Sequence, residues 1–536
     1  MVALIAVFLV IEALRRVIGW LLVGIVLVFI SYAYVAPYMV GMLQGSPTST
    51  ERLFNYLYFD SSGIIGLVGI AATLGFSFVL FGQVLLQLGG GDIMNKLAIF
   101  AFGRFRGGTA KASVVSSSLT GTITGGPVTN VLLTGNITIP LMKKNGYTAT
   151  QAGAIESVAS TGGQLVPPVM GVAAFVMAEY LGIPYSEVAL AALIPALLYY
   201  YSLFVQVDLL SLRNNIRGMK RDLLPKLGEL KNTWLILPAF CILIYLMFIK
   251  GYTAQVSGVL AALAAFVFLI WQATYRKKFW HHTKEIFIET GKTLITVSVV
   301  LAAAGIVVGV TGITGLGFNL SMTLASVGDY GLFWLLVLCA LVSLILGMGM
   351  PSVAAYSMVA LLAAPALVEH GVPPIAAHLF VFYYAILCNF TPPIAMACFA
   401  ASPIAQASPN KIGFTALKLG VSGFLVPFAF IYEPRLLLTF NYEHSIGTFI
   451  FLLVSMLIAF YFLSLGFVGQ ILPHQKLSVL IRAVFIVLSL VIFTPISVLG
   501  GAWVINSVAV LIGAILIIGY VLKHKSVIKE DASVSA

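Results

Sequence analysis

Ala159-Ser-Thr-Gly-Gly-Gln-Leu-Val-Pro-Pro168 stands inside an apolar run, and Leu387-Cys-Asn-Phe-Thr-Pro-Pro393 does the same further on, with the paired prolines 225 residues apart. Proline removes a backbone donor and its ring blocks the preceding turn. Each stretch therefore predicts a helix broken near mid-membrane. The same 225-residue offset joins Pro140 to Pro365, Gly146 to Gly371 and Pro184 to Pro409. Two copies of one helix-breaking pattern in a membrane protein point to a transporter fold with its substrate site between the copies.

Composition supports the membrane setting. The 536 residues are 60% hydrophobic and 9% charged, and the mean hydropathy is +1.05. So little charge excludes a soluble domain and predicts about eleven to thirteen spans or re-entrant segments. The net charge of +11 does not imply nucleic acid, because Lys and Arg cluster in short loops that set orientation in the bilayer. Cys241, Cys339, Cys388 and Cys398 sit singly in apolar runs and read as packing residues. Val2–Val10 is followed by Glu12, Arg15 and Arg16 rather than by a cleavage site, so no cleavable signal peptide is expected.

The basic loops give a topology. Arg15 and Arg16 are placed in the cytoplasm, followed by a span at 17–36, an outer loop at 37–60 and a returning span at 62–87. The stretch 92–108, with Lys96, Arg104 and Arg106, suits an arm in the cytoplasmic interface. Residues 110–141 are rich in Ser, Thr and Gly and predict a re-entrant hairpin, since broken backbone is tolerated only against protein or a cavity. A broken helix at 149–181, a span at 186–212 and linking spans at 233–249 and 256–274 follow. The second copy comprises a span at 286–304, a Gly-rich outer arm at 305–326, a hairpin at 332–366 and a broken helix at 374–401. Three further spans lead to Lys523, Lys525 and Lys529, placed in the cytoplasm. Lys143-Lys144 closes the first hairpin, whereas Glu369-His-Gly-Val-Pro-Pro374 closes the second without a basic residue. That asymmetry is expected of an inverted repeat. The expected fold is therefore an all-α polytopic membrane protein with an inverted repeat, two re-entrant hairpins and two broken helices. Its divisions are 1–61, 62–231, 232–285, 286–434 and 435–536.

Broken helices can hold both an anion and a cation. Half-helix N-termini offer backbone donors to a carboxylate, while freed carbonyls and side-chain oxygens suit Na⁺. The substrate candidates are Thr124, Gly125, Gly126 and Asn130 at the first apex and Thr161, Gly162, Gly163 and Gln164 at the first break. Gly349, Pro351 and Ser352 stand at the second apex, and Asn389 and Thr391 at the second break. The Na⁺ candidates are Ser160, Thr161, Gly347, Gly349 and Asn389. Small residues also serve close helix packing; the matched clusters beside paired prolines favour a site. Asn130, Asn389 and its counterpart Gln164 carry amides that need partners. No Arg lies in these stretches, so no bidentate carboxylate clamp is visible.

Ionisable residues within spans are functional candidates by default. Glu156 either binds a proton or cation, or sits in water near the helix end; its counterpart is Val381. Glu179 and Asp208, nearer helix ends, read as solvated, and His378 as interfacial. Enzyme readings fail. Gly291-Lys292-Thr293 lacks the first P-loop glycine, Ile286 standing in its place. Gly89-Gly90-Gly91-Asp92 has its nearest second Asp, Asp60, on the opposite membrane face.

The runs Gly125-Gly-Pro-Val-Thr-Asn130, Ala159–Gly171, Leu346-Gly-Met-Gly-Met-Pro351 and Pro373-Pro-Ile-Ala-Ala-His-Leu-Phe380 resemble the large permease of tripartite ATP-independent periplasmic (TRAP) transporters. They are most similar to the fused permease of the TAXI branch, over about residues 12 to 435. The resemblance implies an elevator-type secondary transporter of the cell (inner) membrane that takes up organic acids, dicarboxylates among them, with Na⁺ or H⁺ and no organic cofactor. It also implies a TAXI-type extracytoplasmic binding protein and a transport domain made of the two hairpins and two broken helices. The first apex departs from the family, with Gly125-Gly126-Pro127 where many relatives carry a Ser-Gly-Ser-like string. Of the four-span small permease that opens the fused relatives, only the last helix is recognisable, around Met1–Leu14; either a separate small subunit is a further partner, or the start is truncated, or this lineage manages without one. A passive channel, or the membrane subunit of an ATP-driven importer, is the alternative.

Overall fold

A computed structural model describes residues 1–226, 228–230, 236–271, 276–438, 446–494 and 501–524. Lys525 and Lys529, used above for topology, and the start of the linking span at 233–249 lie outside that set. Among the described residues, seven helices are long and apolar enough to cross a membrane, or eight if the bent pair Pro409–Leu419 and Val421–Tyr432 is one span. Among the described residues, the β-structure is a two-stranded antiparallel hairpin, Gln470–Leu472 with Gln475–Lys476.

The duplicated pattern runs through two helical hairpins and two broken helices. Gly108–Thr124 and Pro127–Lys144 pack on each other across a Gly125-Gly126 turn. Gly125 has φ +63°, which an L side chain rarely adopts, and its N–H caps the first limb on Gly121 O at 3.0 Å. Pro127 opens the second limb, where its missing N–H costs nothing. Leu332–Gly347 and Ser352–Glu369 repeat the arrangement, with Gly349 at φ +76° in the turn.

Ala149–Gly162 begins at a capping box between Thr148 and Gln151. It tightens into the short turn Gly163–Leu165, breaks at the prolines, and resumes as Val172–Leu181. Pro374–Leu387, Cys388–Phe390 and Met396–Ala405 follow the same course. Ala149–Gly162 and Pro374–Leu387 begin and end 225 residues apart, as do Pro127–Lys144 and Ser352–Glu369. The copies interlock. Met396–Ala405 packs on Pro127–Lys144 and Ala149–Gly162, while Val172–Leu181 packs on Ser352–Glu369.

Two expectations are corrected. The outer loop 37–60 contains a helix, Thr50–Phe59, capped by Ser49, whose side chain accepts the Arg52 N–H at 3.3 Å. Leu53 and Leu57 bury one face of it, an amphipathic signal too short to stand out in apolar sequence. The Gly-rich stretch 305–326 is not one arm. Helix Phe279–Thr314 runs through Gly305, Gly309 and Gly312, turns at Gly315, and a second helix, Leu316–Gly328, follows. Those glycines serve close approach. A Cβ on Gly305 would lie 2.7 Å from Gly63 O, and one on Gly309 would lie 2.7 Å from Leu57 Cδ2, the small-residue packing of membrane helices.

Gly305→Val is expected to lower the thermal midpoint of the purified protein, with an overpacking cost of about 1–3 kcal/mol. Gly291→Ala meets nothing within 4 Å and should leave the midpoint unchanged or raise it. An unaltered midpoint in Gly305→Val would refute the packing role.

Candidate functional site

Each hairpin tip rests on the break of its own copy. In the first copy the contact is backbone on backbone: a Cβ on Gly163 would lie 2.5 Å from Gly121 Cα. The Val169 N–H donates to Thr122 Oγ1 at 3.4 Å. Asn130 donates through Nδ2 to Ser117 O at 2.7 Å. Its Oδ1, both amide atoms of Gln164, and the hydroxyls of Thr120 and Thr124 are buried without a protein partner. In the second copy Cys388 Sγ donates to Gly347 O at 3.0 Å. Asn389 Nδ2 donates to Ile386 O at 2.9 Å and reaches Ser352 Oγ at 3.5 Å, and its Oδ1 is likewise without a partner. A buried polar atom left unpaired costs about 1–3 kcal/mol. Five such atoms lie at the first tip and break, and one, Asn389 Oδ1, at the second.

The structure sorts the candidates. Asn130, Gln164 and Thr124 gather at the first tip and break, and Gly347, Ser352 and Asn389 at the second. Thr161 and Thr391 turn their hydroxyls back to Ser157 O and Leu387 O, at 2.7 and 2.8 Å. Gly162 faces Tyr199, whose Cε1 would lie 2.3 Å from an added Cβ, and Gly349 packs towards Leu21 at 2.8 Å. Gly125 and Gly126 line an open tip, with nothing nearer than 3.6 Å. Pro351 immediately precedes the helix from Ser352. Ser160 points to Glu156 at 3.0 Å.

Glu156 is the residue that sequence reading left undecided. It is 0% exposed, which removes the water-exposed alternative. Five hydroxyls donate to its carboxylate. Ser113 and Thr138 reach Oε2, both at 2.6 Å; Ser117 at 2.7 Å, Ser160 at 3.0 Å and Thr134 reach Oε1. A signal for this cage existed. Ser113/Ser117, Thr134/Thr138 and Glu156/Ser160 are each an i, i+4 pair on one helix face, but only the fold brings the three faces together.

Two other ionisable residues depart from expectation. Asp208 is not simply solvated. It pairs with Lys111 at 2.6 Å and with Arg106, tying the start of the first hairpin to helix Tyr185–Arg213. His378 is partly buried, with Nδ1 2.7 Å from the Tyr356 hydroxyl. Glu179 is exposed.

Residues 5–444 match the family model of the DctM component of tripartite ATP-independent periplasmic transporters. The chain belongs to that family. It is 23% identical over 385 residues to the uncharacterized protein YgiK of Salmonella typhimurium, covering 69% of this chain and 85% of that one. It is 25% identical over 369 residues to the C4-dicarboxylate TRAP transporter large permease protein DctM of Pseudomonas aeruginosa, covering 68% and 83%. The DctM protein of Vibrio cholerae is also 25% identical, over 370 residues, covering 64% and 80%. Among solved structures, the YdaH transporter of Alcanivorax borkumensis superimposes with a TM-score of 0.51 at 16% identity, over 78% of this chain and 97% of that one. That likeness concerns the fold alone. A multi-pass TRAP permease is a transporter component and not an enzyme. In keeping with this, Gly291-Lys292-Thr293 lies inside the helix Phe279–Thr314, where its backbone cannot wrap a phosphate.

Asp208→Asn should strand the largely buried Lys111 and lower the thermal midpoint, by about 2 kcal/mol given the partial exposure of the site. A midpoint equal to wild type would show that the ion pair carries no stability.

Proposed function

We propose that this chain is the large permease of a secondary transporter that takes up an organic acid anion, with dicarboxylates the leading class, coupled to Na⁺ or H⁺. The observation that carries the reading is the pair of hairpin tips pressed on helix breaks, with the amide oxygens of Asn130 and Gln164 at the first and of Asn389 at the second buried without protein partners. Helix N-termini support it. Pro127–Lys144 and Ser352–Glu369 start at the tips, while Val172–Leu181 and Met396–Ala405 start just past the breaks. Their free N–H groups and dipoles favour a carboxylate, which suits stretches that contain no arginine. The names of the Pseudomonas and Vibrio relatives, which specify C4-dicarboxylates, make that class the first to try.

In this reading the two copies are inverted, the tips are re-entrant, and the hairpins and broken helices move together as an elevator. The C-terminus is cytoplasmic. A TAXI-type extracytoplasmic binding protein delivers the anion, and a small permease subunit is a further partner. The family's tripartite name supports partners of both kinds; the motif resemblance supports the TAXI branch.

Uptake into proteoliposomes tests the reading. Accumulation of a C4-dicarboxylate or related acid should require the binding protein and an imposed Na⁺ or H⁺ gradient. Accumulation that instead needs ATP hydrolysis, or flux that only equilibrates, would favour an importer subunit or a channel. Asn130→Leu and Asn389→Leu should each cut the initial uptake rate roughly tenfold or more, about 1.4 kcal/mol in barrier per decade, while expression is retained. Wild-type rates in both would remove the two breaks from the site.

A further inference from the structure

We propose that Glu156 and the hydroxyls of Ser113, Ser117, Thr134, Thr138 and Ser160 form a single, one-sided site for a monovalent metal cation of the Na⁺ type. The proposal rests on the transporter reading above and assigns its coupling ion to a place. Four observations carry it.

The first is charge. Glu156 is 0% exposed, and none of the ion pairs among the described residues engages it. A carboxylate inside a membrane protein calls for a compensating charge. The side chains around it supply hydroxyls only.

The second is ligand chemistry. Two carboxylate oxygens and five hydroxyl oxygens form an all-oxygen set, which suits hard cations. A hydroxyl carries one proton and two lone pairs and rotates to suit. Three of the five have somewhere else to send the proton. Thr134 can donate to Asn130 O at 2.8 Å, Thr138 to Thr134 O at 3.1 Å, and Ser117 to Thr134 Oγ1 at 3.1 Å. Turned that way, they present lone pairs to a cation beside Glu156.

The third is the contrast between copies. At the 225-residue offset, Thr134, Thr138, Glu156 and Ser160 become Val359, Ala363, Val381 and Ala385, all buried to 0% exposure. The second hairpin and broken helix are thus built with apolar residues at these positions. The polar cage is not a requirement of the architecture.

The fourth is position. The cage draws on both limbs of the first hairpin and on the first half of the broken helix. It also touches the substrate candidates directly. Thr134 bonds to Asn130 O, and Asn130 Nδ2 bonds to Ser117 O. A cation here would pin the hairpin to the helix and orient the Asn130 amide at the tip. Gly135 lets the glutamate lie close against the second limb: a Cβ there would lie 3.2 Å from Glu156 Cγ.

Thermal unfolding of the purified full chain, with NaCl exchanged for choline chloride at constant ionic strength, tests the site. Wild type should gain a saturable rise in midpoint with Na⁺. Glu156→Gln should lose that Na⁺-dependent rise whatever its midpoint in choline. Ser113→Ala, whose hydroxyl bonds only Glu156 among the described residues, should keep the rise but need about tenfold more Na⁺. No Na⁺ response in wild type, or an unchanged response in Glu156→Gln, overturns the proposal. Should Glu156→Gln fail to fold, an unchanged Na⁺ requirement in Ser113→Ala overturns it. Proteoliposomes separate the two readings. Wild-type accumulation on a proton gradient without any need for Na⁺ refutes the metal site and leaves the transporter standing. Failure of every ion gradient to drive accumulation refutes the transporter itself.

Discussion

The constraint on which the molecule depends is that backbone cannot be left unpaired in a bilayer. Wherever a helix stops at membrane depth, its open N–H and C=O groups must be covered by protein or face a cavity. Both breaks meet this demand in the same way, with a hairpin tip laid across them. Glycines make the cover possible. Gly121 and Gly163 bring two backbones into contact, and a single added methyl group on either would separate them. The tips in turn need left-handed turns, supplied by Gly125 and Gly349. The interlocking of the copies follows, because each resumed half-helix finds its packing partner in the other copy.

Covering a break does not satisfy every group. The amide oxygens of Asn130 and Asn389 and the whole Gln164 amide stay without protein partners. The same geometry that protects the backbone therefore leaves a small polar surface in a dry place, where electrostatic interactions are strong. Glu156 stands near this surface with a full complement of hydroxyl donors. The second copy keeps the same course of helices with valine and alanine in place of that cage. Fold and chemistry thus separate between the copies, and the first copy carries the carboxyl group.

Much of this was legible without coordinates because the punctuation is chemical. Paired prolines, apex glycines and the offset of 225 residues follow from backbone rules that hold in any surroundings. Other features were not legible. Gly305, Gly309 and Gly312 suggest a separate outer arm but lie within a 36-residue helix, since a glycine at a close contact and a glycine at a break look alike in sequence. Asp208 gave no sign of Arg106 or Lys111, about 100 residues away along the chain. Gly162 reads in sequence as a binding candidate, and nothing local signals that Tyr199 packs against it.

The sequence alone determined that the chain is a duplicated membrane protein with breaks at Pro167-Pro168 and Pro392-Pro393, because helix-breaking is a local property of the backbone. It also carried enough of the family's strings to name the class of transporter. The tertiary structure decided which polar side chains meet. Ser113, Thr138 and Glu156 lie on three separate helices, and whether a lone glutamate faces water or five hydroxyls depends on how those helices rotate and pack. Rotation about a helix axis is set by long-range contacts, and these are written nowhere in the local sequence.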